Sequence, residues 1–328
     1  MSNKKNLYLF AEITENYGHR LGTYIYNNKS NFDKSFVYPQ APICETHNYR
    51  HSFLSKQLIS SYFNLDPKKN AEESKMVDEL FNTYIDLTIK EINDASEENA
   101  LIIIPAFFTI KSLELSVLKE RLTEHFNLFF IFQYSNIFNT IENLFLLHSS
   151  GGRRPFFNDF NDFCTWLDTI ELFDNIKNSI QSFQGGIFAL DSDALDLMGE
   201  NFLEKFLNIL NYNSDLSHND IKLFESRKVQ YLKVHPLFKS FLKELDNRNL
   251  SNENKIKIHL FLDKFCRKIL KINTDSFSFY EDLSIFNFNK ILAISKFLED
   301  IGIPFFKKTI PAVLKTESVK IFNDYYEL

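Results

Sequence analysis

Short apolar runs alternate with longer amphipathic segments over the first two thirds of the chain. Four runs predict buried strands, and these are Leu7–Ile13, Leu101–Ile104, Leu128–Phe132 and Gly186–Leu190. Helical periodicity predicts helices over Ser52–Phe63, Glu72–Ile92, Leu113–His125 and Phe160–Phe183. Strands that alternate with helices at this spacing form a parallel sheet with helices on both faces. We therefore predict an α/β fold of three layers.

The pattern changes after about residue 216. Periodicity there predicts helices with no clear strand between them, over Val234–Leu245, Ser251–Ile272 and Leu283–Ile301. No low-complexity linker separates this part from the rest of the chain. We expect one domain, residues 1–328, with an α/β core over about 1–215 and a helical part over about 216–328.

Composition and charge exclude several classes of protein. The chain has 328 residues with 44% apolar residues and a net charge of −6, which argues against a general nucleic-acid-binding surface. No run approaches the ~18 apolar residues of a membrane span, and the first apolar run is shorter than the roughly 7–15 residues of a signal-peptide core. Three widely separated cysteines, Cys44, Cys164 and Cys266, indicate reduced thiols. We expect a cytoplasmic protein without nucleic-acid partners.

The first strand leads through a polar segment to Arg20-Leu21-Gly22-Thr23. A strand followed by a loop with a cation, a glycine and a hydroxyl is typical of a phosphate cradle. The glycine lets backbone N–H groups approach an anion, the cation balances its charge and the hydroxyl donates another hydrogen bond. The alternative is an ordinary strand-to-helix loop, over Thr14–Thr23, with a glycine turn.

Two histidines stand at the entry to a predicted helix, in His47-Asn48-Tyr49-Arg50-His51. A histidine near its usual pKa can act as a general base at neutral pH. His47 and His51 are four residues apart and share a face if the helix begins early. The alternative is a polar helix start in which one histidine caps or packs.

Two later segments offer anion-binding groups. Gln133 follows a strand and Thr140 lies in the next helix, and polar groups at the carboxyl end of a parallel strand lie where ligands bind. Arg153 and Arg154 follow two glycines, which suits an anion clamp. The alternatives are a helix-capping turn for the first segment and a solvated connecting loop for the second.

Asp191, Asp193 and Asp196 follow the fourth predicted strand. Their spacing is compatible with metal binding, but equally with the start of an acidic helix, which the helix dipole favours. We expect no metal site.

In order along the chain, these pieces resemble the bacterial sulfotransferases that use 3′-phosphoadenosine-5′-phosphosulfate (PAPS), a branch of the P-loop-like α/β fold. Arg20-Leu21-Gly22-Thr23-Tyr24 is similar to the family's K-T-G-T-T loop. The family's Tyr-Pro pair is matched by Val37-Tyr38-Pro39. His51-Ser52-Phe53-Leu54-Ser55-Lys56-Gln57-Leu58 is similar to its histidine followed by x-x-Leu-Ala-x-x-Leu.

Other family residues are missing here. The family's Ser-x-Glu after a strand is replaced by Pro105-Ala106-Phe107. A later family strand ends in arginine and reaches a serine eight residues on, and both residues hold the 3′-phosphate. Phe132 and Thr140 fall at those positions, with the uncharged Gln133 beside the first.

The resemblance implies PAPS as co-substrate and a carbohydrate or other small hydroxylated molecule as acceptor, as in polysaccharide biosynthesis. Arg20 is then expected to contact the bridging and 5′-phosphate oxygens, with Gly22 and Thr23 cradling the phosphate. His51, with His47 as second choice, is expected to be the base, and Arg153 or Arg154 to replace the missing arginine. Two alternatives stay open: a catalytically silent sulfotransferase-like binding protein, and a glycosyltransferase with a nucleotide-sugar donor, for which Asp191 and Asp193 are the support.

Overall fold

The computed structural model describes residues 4–12, 17–105, 107–110, 112–134, 141, 144–145, 160–169, 172–182, 186–191, 195, 201–212, 216, 289–291, 293 and 296–297. The chain divides into two compact units, residues 1–135 with 170–226, and residues 136–169 with 227–328. Almost all the described residues belong to the first unit.

Four parallel strands form the sheet of the first unit, in the spatial order β2-β1-β3-β4. They are β1 (Asn6–Glu12), β2 (Asn99–Ile103), β3 (Asn127–Tyr134) and β4 (Ile187–Asp191). Each of the four predicted strands is confirmed, with its ends within two residues of those expected.

The order of the strands places a switch point between β1 and β3. The chain runs from β1 to β2 on one side and then crosses to β3 on the other side. Ligands of open α/β sheets bind outside the carboxyl ends of the strands at such a point. Glu12 ends β1 and pairs in register with Gln133 of β3, so these two residues lie at that position.

The described helices agree with most of the predicted periodicity, and those of the first unit flank its sheet. They are α1 (Tyr17–Asn27), α2 (Lys29–Phe32), α3 (Lys56–Tyr62), α4 (Ala71–Asp94), α5 (Ser112–His125), α6 (Phe160–Thr169), α7 (Leu172–Ser182) and α8 (Phe202–Ile209). Short 3-10 turns cover Glu45–His47, Ser52–Leu54 and Phe107–Thr109. The predicted helical region Phe160–Phe183 corresponds to two helices, α6 and α7.

Both faces of the sheet are buried, as expected for a parallel sheet between two layers. On one face, Phe10 of β1 packs edge-on against Phe206 of α8, with ring centroids 5.5 Å apart. On the other, Phe108 packs edge-on against Phe132 of β3, with centroids 5.4 Å apart. The predicted α/β class with its flanked parallel sheet is confirmed.

The predicted loop over Thr14–Thr23 is wrong for its second half. Helix α1 begins at Tyr17, so Arg20, Gly22 and Thr23 are helical. The reason is an apolar stripe at helical spacing, because Tyr17, Leu21, Tyr24 and Ile25 are all buried on the core side of α1. That packing outweighs the low helix propensity of two glycines, Gly18 and Gly22.

The predicted helices Val234–Leu245 and Ser251–Ile272 lie outside the described residues. Within Leu283–Ile301, the described residues 289–291, 293 and 296–297 are helical, and Ile291 is fully buried. Over the described part of the chain, no helix combines the length and apolarity that a membrane span requires.

Candidate functional site

The carboxylate of Glu12 lies at the amino end of α1. Its Oε2 accepts hydrogen bonds from the backbone N–H groups of Tyr17 and Gly18, each with an N···O distance of 2.9 Å. These N–H groups belong to the first turn of α1, where the helix itself offers no acceptor and the helix dipole favours negative charge. We call these two N–H groups the anion cradle. The chain's own carboxylate occupies it.

Gly18 permits this approach of the carboxylate. A Cβ atom at position 18 would lie 2.7 Å from Glu12 Oε1 and 3.3 Å from Phe10 Cε1. Both distances are shorter than ordinary van der Waals contact. A glycine at position 18 therefore lets the end of β1 and the start of α1 approach each other closely.

Arg50 is the cation beside this carboxylate. Its side chain is only 5% exposed, and its Nη1 lies 3.9 Å from Glu12 Oε1. Its Nε donates to the backbone carbonyl of His47 at 2.9 Å, whereas Nη1 is buried and has no hydrogen-bond partner among the described residues. A buried guanidinium with an unused N–H group is costly unless an acceptor meets it.

Gly22 helps to place Arg50. The residue lies in the middle of α1, and a Cβ there would be 2.3 Å from the carbonyl oxygen of Asn48 and 3.0 Å from Cγ of Arg50. Asn48 and Tyr49 have φ near 58° and 57°, so the chain turns tightly just before Arg50. The glycine thus allows this turn to press against α1.

His51 is fully buried and joins its segment to β2. Its backbone N–H donates to the carbonyl of Ile103 at 2.9 Å, and its Nδ1 accepts the N–H of Ile103 at 3.0 Å. Burial lowers its pKa to about 3, against the opposing effect of the backbone carbonyls of Ile103 and Pro39. A neutral, enclosed imidazole with this pKa is poorly suited to take a proton from a substrate at pH 7.

His47 is the more accessible of the two candidate bases. It is half-buried, and its Nδ1 lies 2.8 Å from Oγ of Ser52. The condition under which both histidines would share one helix face, an early start of the helix, is not met. His47 ends one 3-10 turn, and His51 directly precedes the next, because the left-handed Asn48 and Tyr49 interrupt the helix between them.

The residues that are predicted to contact phosphate, Arg20, Gly22 and Thr23, all lie within α1. Gly22 and Thr23 are the sixth and seventh residues of the helix, beyond the first turn whose N–H groups are available to an anion. The Thr23 hydroxyl donates to the carbonyl of His19 at 3.2 Å. Arg20 is in the first turn, half-buried, with Cζ 5.7 Å from the ring centroid of Tyr17.

The remaining predicted residues are only partly within the described chain. Gln133 is buried, with 1% exposure, beside Glu12. Thr140, Arg153 and Arg154 lie outside the described residues, as do Asp193 and Asp196. Asp191 ends β4. In the part of the chain that the structure describes, no three His, Cys, Asp or Glu side chains form a group suited to a metal ion.

A cavity of about 470 Å³ lies elsewhere in the first unit, against α5 and α7. Its lining residues are Leu115, Ser116, Lys119, Glu120, Thr123, Asn175 and Asn178. Asn175 is fully buried and donates to the carbonyls of Phe108 and Ile110 at 3.0 and 2.8 Å, so its amide holds a neighbouring turn. The cavity shares no lining residue with the anion cradle.

Glu12, Gly18 and Arg50 were not singled out by the sequence. One signal was available, because Glu12 is a carboxylate that directly follows five apolar residues of a predicted strand. A charge at the carboxyl end of a buried parallel strand points to the ligand side of the sheet. Nothing in the sequence pairs it with Arg50, 38 residues further along the chain.

No family model matches the chain, and no curated protein matches it. Among solved structures, it is similar to a sulfotransferase domain from the curacin biosynthetic pathway, with 13% identity over 99% of this chain and 98% of that one, and a TM-score of 0.38. It is also similar to retinol dehydratase in complex with androsterone and the inactive cofactor PAP, with 11% identity over 82% of both chains, and a TM-score of 0.32.

Proposed function

We propose that the protein is a sulfotransferase-like transferase that moves a sulfuryl group from a phosphoadenosine donor to a carbohydrate hydroxyl. The observation that carries the proposal is the anion cradle. Two N–H groups, of Tyr17 and Gly18, converge on one oxygen atom at the carboxyl end of β1, beside the switch point of the sheet. The ordered resemblance of the sequence to PAPS-dependent sulfotransferases supports the same assignment.

The N–H groups of the cradle suit an anionic ligand, but in this structure the Glu12 carboxylate already binds them. Glu12 holds the position that a phosphate oxygen needs, and two negative groups do not fit there together. Sulfuryl transfer requires cations near the leaving phosphate and a base for the acceptor hydroxyl. Arg20 in the first turn of α1 is our candidate cation. His47 replaces His51 as candidate base, because His51 is fully buried.

Calorimetry with adenosine 3′,5′-bisphosphate tests the proposal. We expect the wild-type protein to bind it weakly, because Glu12 occupies the cradle, and Glu12→Gln to bind it more tightly. Arg20→Ala should weaken binding by about one to two orders of magnitude, because a charged hydrogen bond contributes roughly 1.5–3 kcal/mol. Thr23→Ala is the matched control and should bind like wild type, since its hydroxyl is engaged within the helix. Absence of binding at millimolar ligand, in wild type and in a Glu12→Gln variant, would reject the proposal.

A catalytically silent sulfotransferase-like binding protein is the second candidate. Two observations favour it: the carboxylate of Glu12 in the cradle, and the complete burial of His51. This candidate predicts that neither wild type nor Glu12→Gln transfers a sulfuryl group from PAPS to a panel of glycans. A measurable transfer rate that His47→Ala abolishes would decide for the enzyme.

A further inference from the structure

We propose that Glu12 is an internal competitor for the ligand of the anion cradle, and that Arg50 is a ligand-binding cation of that site. A tetrahedral oxyanion, a phosphate or sulfate group, binds the N–H groups of Tyr17 and Gly18 together with Arg50 when the charged Glu12 carboxylate does not occupy them. This inference rests on the proposed function where it concerns nucleotides. It adds which residues hold the anion and how Glu12 regulates its binding.

The first step of the argument is the geometry of the cradle. Both N–H groups meet the same carboxylate oxygen at 2.9 Å, which is an ordinary length for a hydrogen bond to an ionised acceptor. Gly18 leaves room for an anion directly against the helix end, as the 2.7 Å approach of a built Cβ to Glu12 Oε1 shows. The cradle is therefore shaped for an anion oxygen.

The second step is the incomplete match between Glu12 and Arg50. The distance of 3.9 Å between Oε1 and Nη1 is longer than the roughly 2.7–2.9 Å of a charge-assisted hydrogen bond. Nη1 of Arg50 is buried and finds no hydrogen-bond partner among the described residues. The planar carboxylate of Glu12 thus meets the helix end but does not reach the guanidinium. A tetrahedral oxyanion has additional oxygen atoms with which to meet it.

The third step is electrostatic. Glu12 and Arg50 have side chains that are only 3% and 5% exposed, so water screens their charges weakly. A second anion at the cradle therefore meets strong repulsion while the charged carboxylate is present. Glu12→Gln removes the charge and keeps a carbonyl oxygen that can accept the same N–H groups. This variant should bind an oxyanion more tightly than wild type does.

The experiment compares four proteins by calorimetry with sodium sulfate at constant ionic strength: wild type, Glu12→Gln, Glu12→Gln with Arg50→Met, and Glu114→Gln. Glu114 is the matched control, because its buried carboxylate also accepts a backbone N–H, that of Lys56 at 2.6 Å. We expect Glu12→Gln to bind sulfate at least about tenfold more tightly than wild type, the double variant to lose this gain, and Glu114→Gln to resemble wild type.

Equal sulfate affinity of wild type and Glu12→Gln would overturn the inference, as would a gain that survives Arg50→Met. Glu12→Asn, which also removes the charge, replaces Glu12→Gln if that variant does not fold, with the same expected direction. A parallel titration with adenosine 3′,5′-bisphosphate separates this inference from the proposed function. Sulfate binding without nucleotide binding supports the inference and contradicts the function. Tight nucleotide binding that is the same in wild type and in Glu12→Gln supports the proposed function and contradicts the inference.

Discussion

Glu12 Oε1 and Arg50 Nη1 lie 3.9 Å apart, and both side chains are almost completely buried. The other carboxylate oxygen of Glu12 is engaged by the first N–H groups of α1. One side chain thus joins the end of β1, the start of α1 and the turn that carries Arg50. This arrangement links the stability of the first unit to the chemistry of its candidate site.

Removing the Glu12 carboxylate should destabilise the protein. Glu12→Ala leaves the guanidinium of Arg50 buried without its counter-ion, and such a change typically costs about 3–5 kcal/mol in the free energy of unfolding. Urea denaturation monitored by circular dichroism measures the loss. The control is Glu79→Ala, whose exposed carboxylate pairs with Lys75 on the surface of α4 and should contribute no more than about 0.5 kcal/mol. Equal losses for both variants would contradict this structural role.

Gly22 should be needed for packing. In Gly22→Ala, the new Cβ meets the carbonyl oxygen of Asn48 at 2.3 Å, so backbone must move. We expect a net loss of stability, because the overpacking cost, at the upper end of about 1–3 kcal/mol, exceeds the gain of about 1 kcal/mol in helix propensity. Thr23→Ala, one residue further along α1, should change the stability by no more than about 0.5 kcal/mol. Thermal denaturation of both variants tests this, and a stabilised Gly22→Ala would show that the close approach does not exist.

His51 should make the protein less stable as the pH falls. Its pKa is about 3 in the folded protein, below the value of about 6.5 in the unfolded chain. Between these values the unfolded chain binds a proton that the folded protein does not. The free energy of unfolding therefore falls as the pH drops through this window, by about 2 kcal/mol between pH 7 and pH 5 from this one group.

His51→Asn isolates that contribution. The asparagine side chain can accept the N–H of Ile103 and does not titrate. Urea denaturation at several pH values should show a smaller loss of stability toward pH 5 in the variant than in wild type, by about 2 kcal/mol. If the free energy of unfolding depended on pH in the same way in both proteins, the pKa of His51 would not be lowered in the folded state.

The strands were predictable because each is a short apolar run bounded by polar residues, and burial on both faces gives that pattern whatever surrounds it. The start of helix α1 was not predictable in this way. The sequence favours a loop at Gly22, yet the role of this residue depends on the carbonyl of Asn48, which approaches from a distant part of the chain. A glycine required for close packing and a glycine required for a loop look the same in a sequence.

The sequence points to the end of β1 and to the segment of His47 and His51, but it does not show which side chains of these segments meet. Both segments lie at the carboxyl end of the sheet, since Nη1 of Arg50 is 3.9 Å from Oε1 of Glu12 and His51 pairs with the end of β2. Residue type alone did not reveal that His51 is enclosed, because burial depends on Tyr38 and β2 packing around it. The role of Glu12 depends on distances between three separate segments, which no local pattern encodes.

Labelling of one amide tests the anion cradle most directly. Tyr17-Gly18 is the only Tyr-Gly pair in the chain, so ¹³C-carbonyl tyrosine with ¹⁵N-glycine gives a single selected NMR signal, from the Gly18 N–H. In Glu12→Gln, added sulfate should shift this signal in a saturable manner, whereas in wild type the same concentrations should leave it nearly unchanged. A Gly18 signal that does not respond to sulfate in Glu12→Gln, or that responds equally in both proteins, would contradict an anion site held by Glu12.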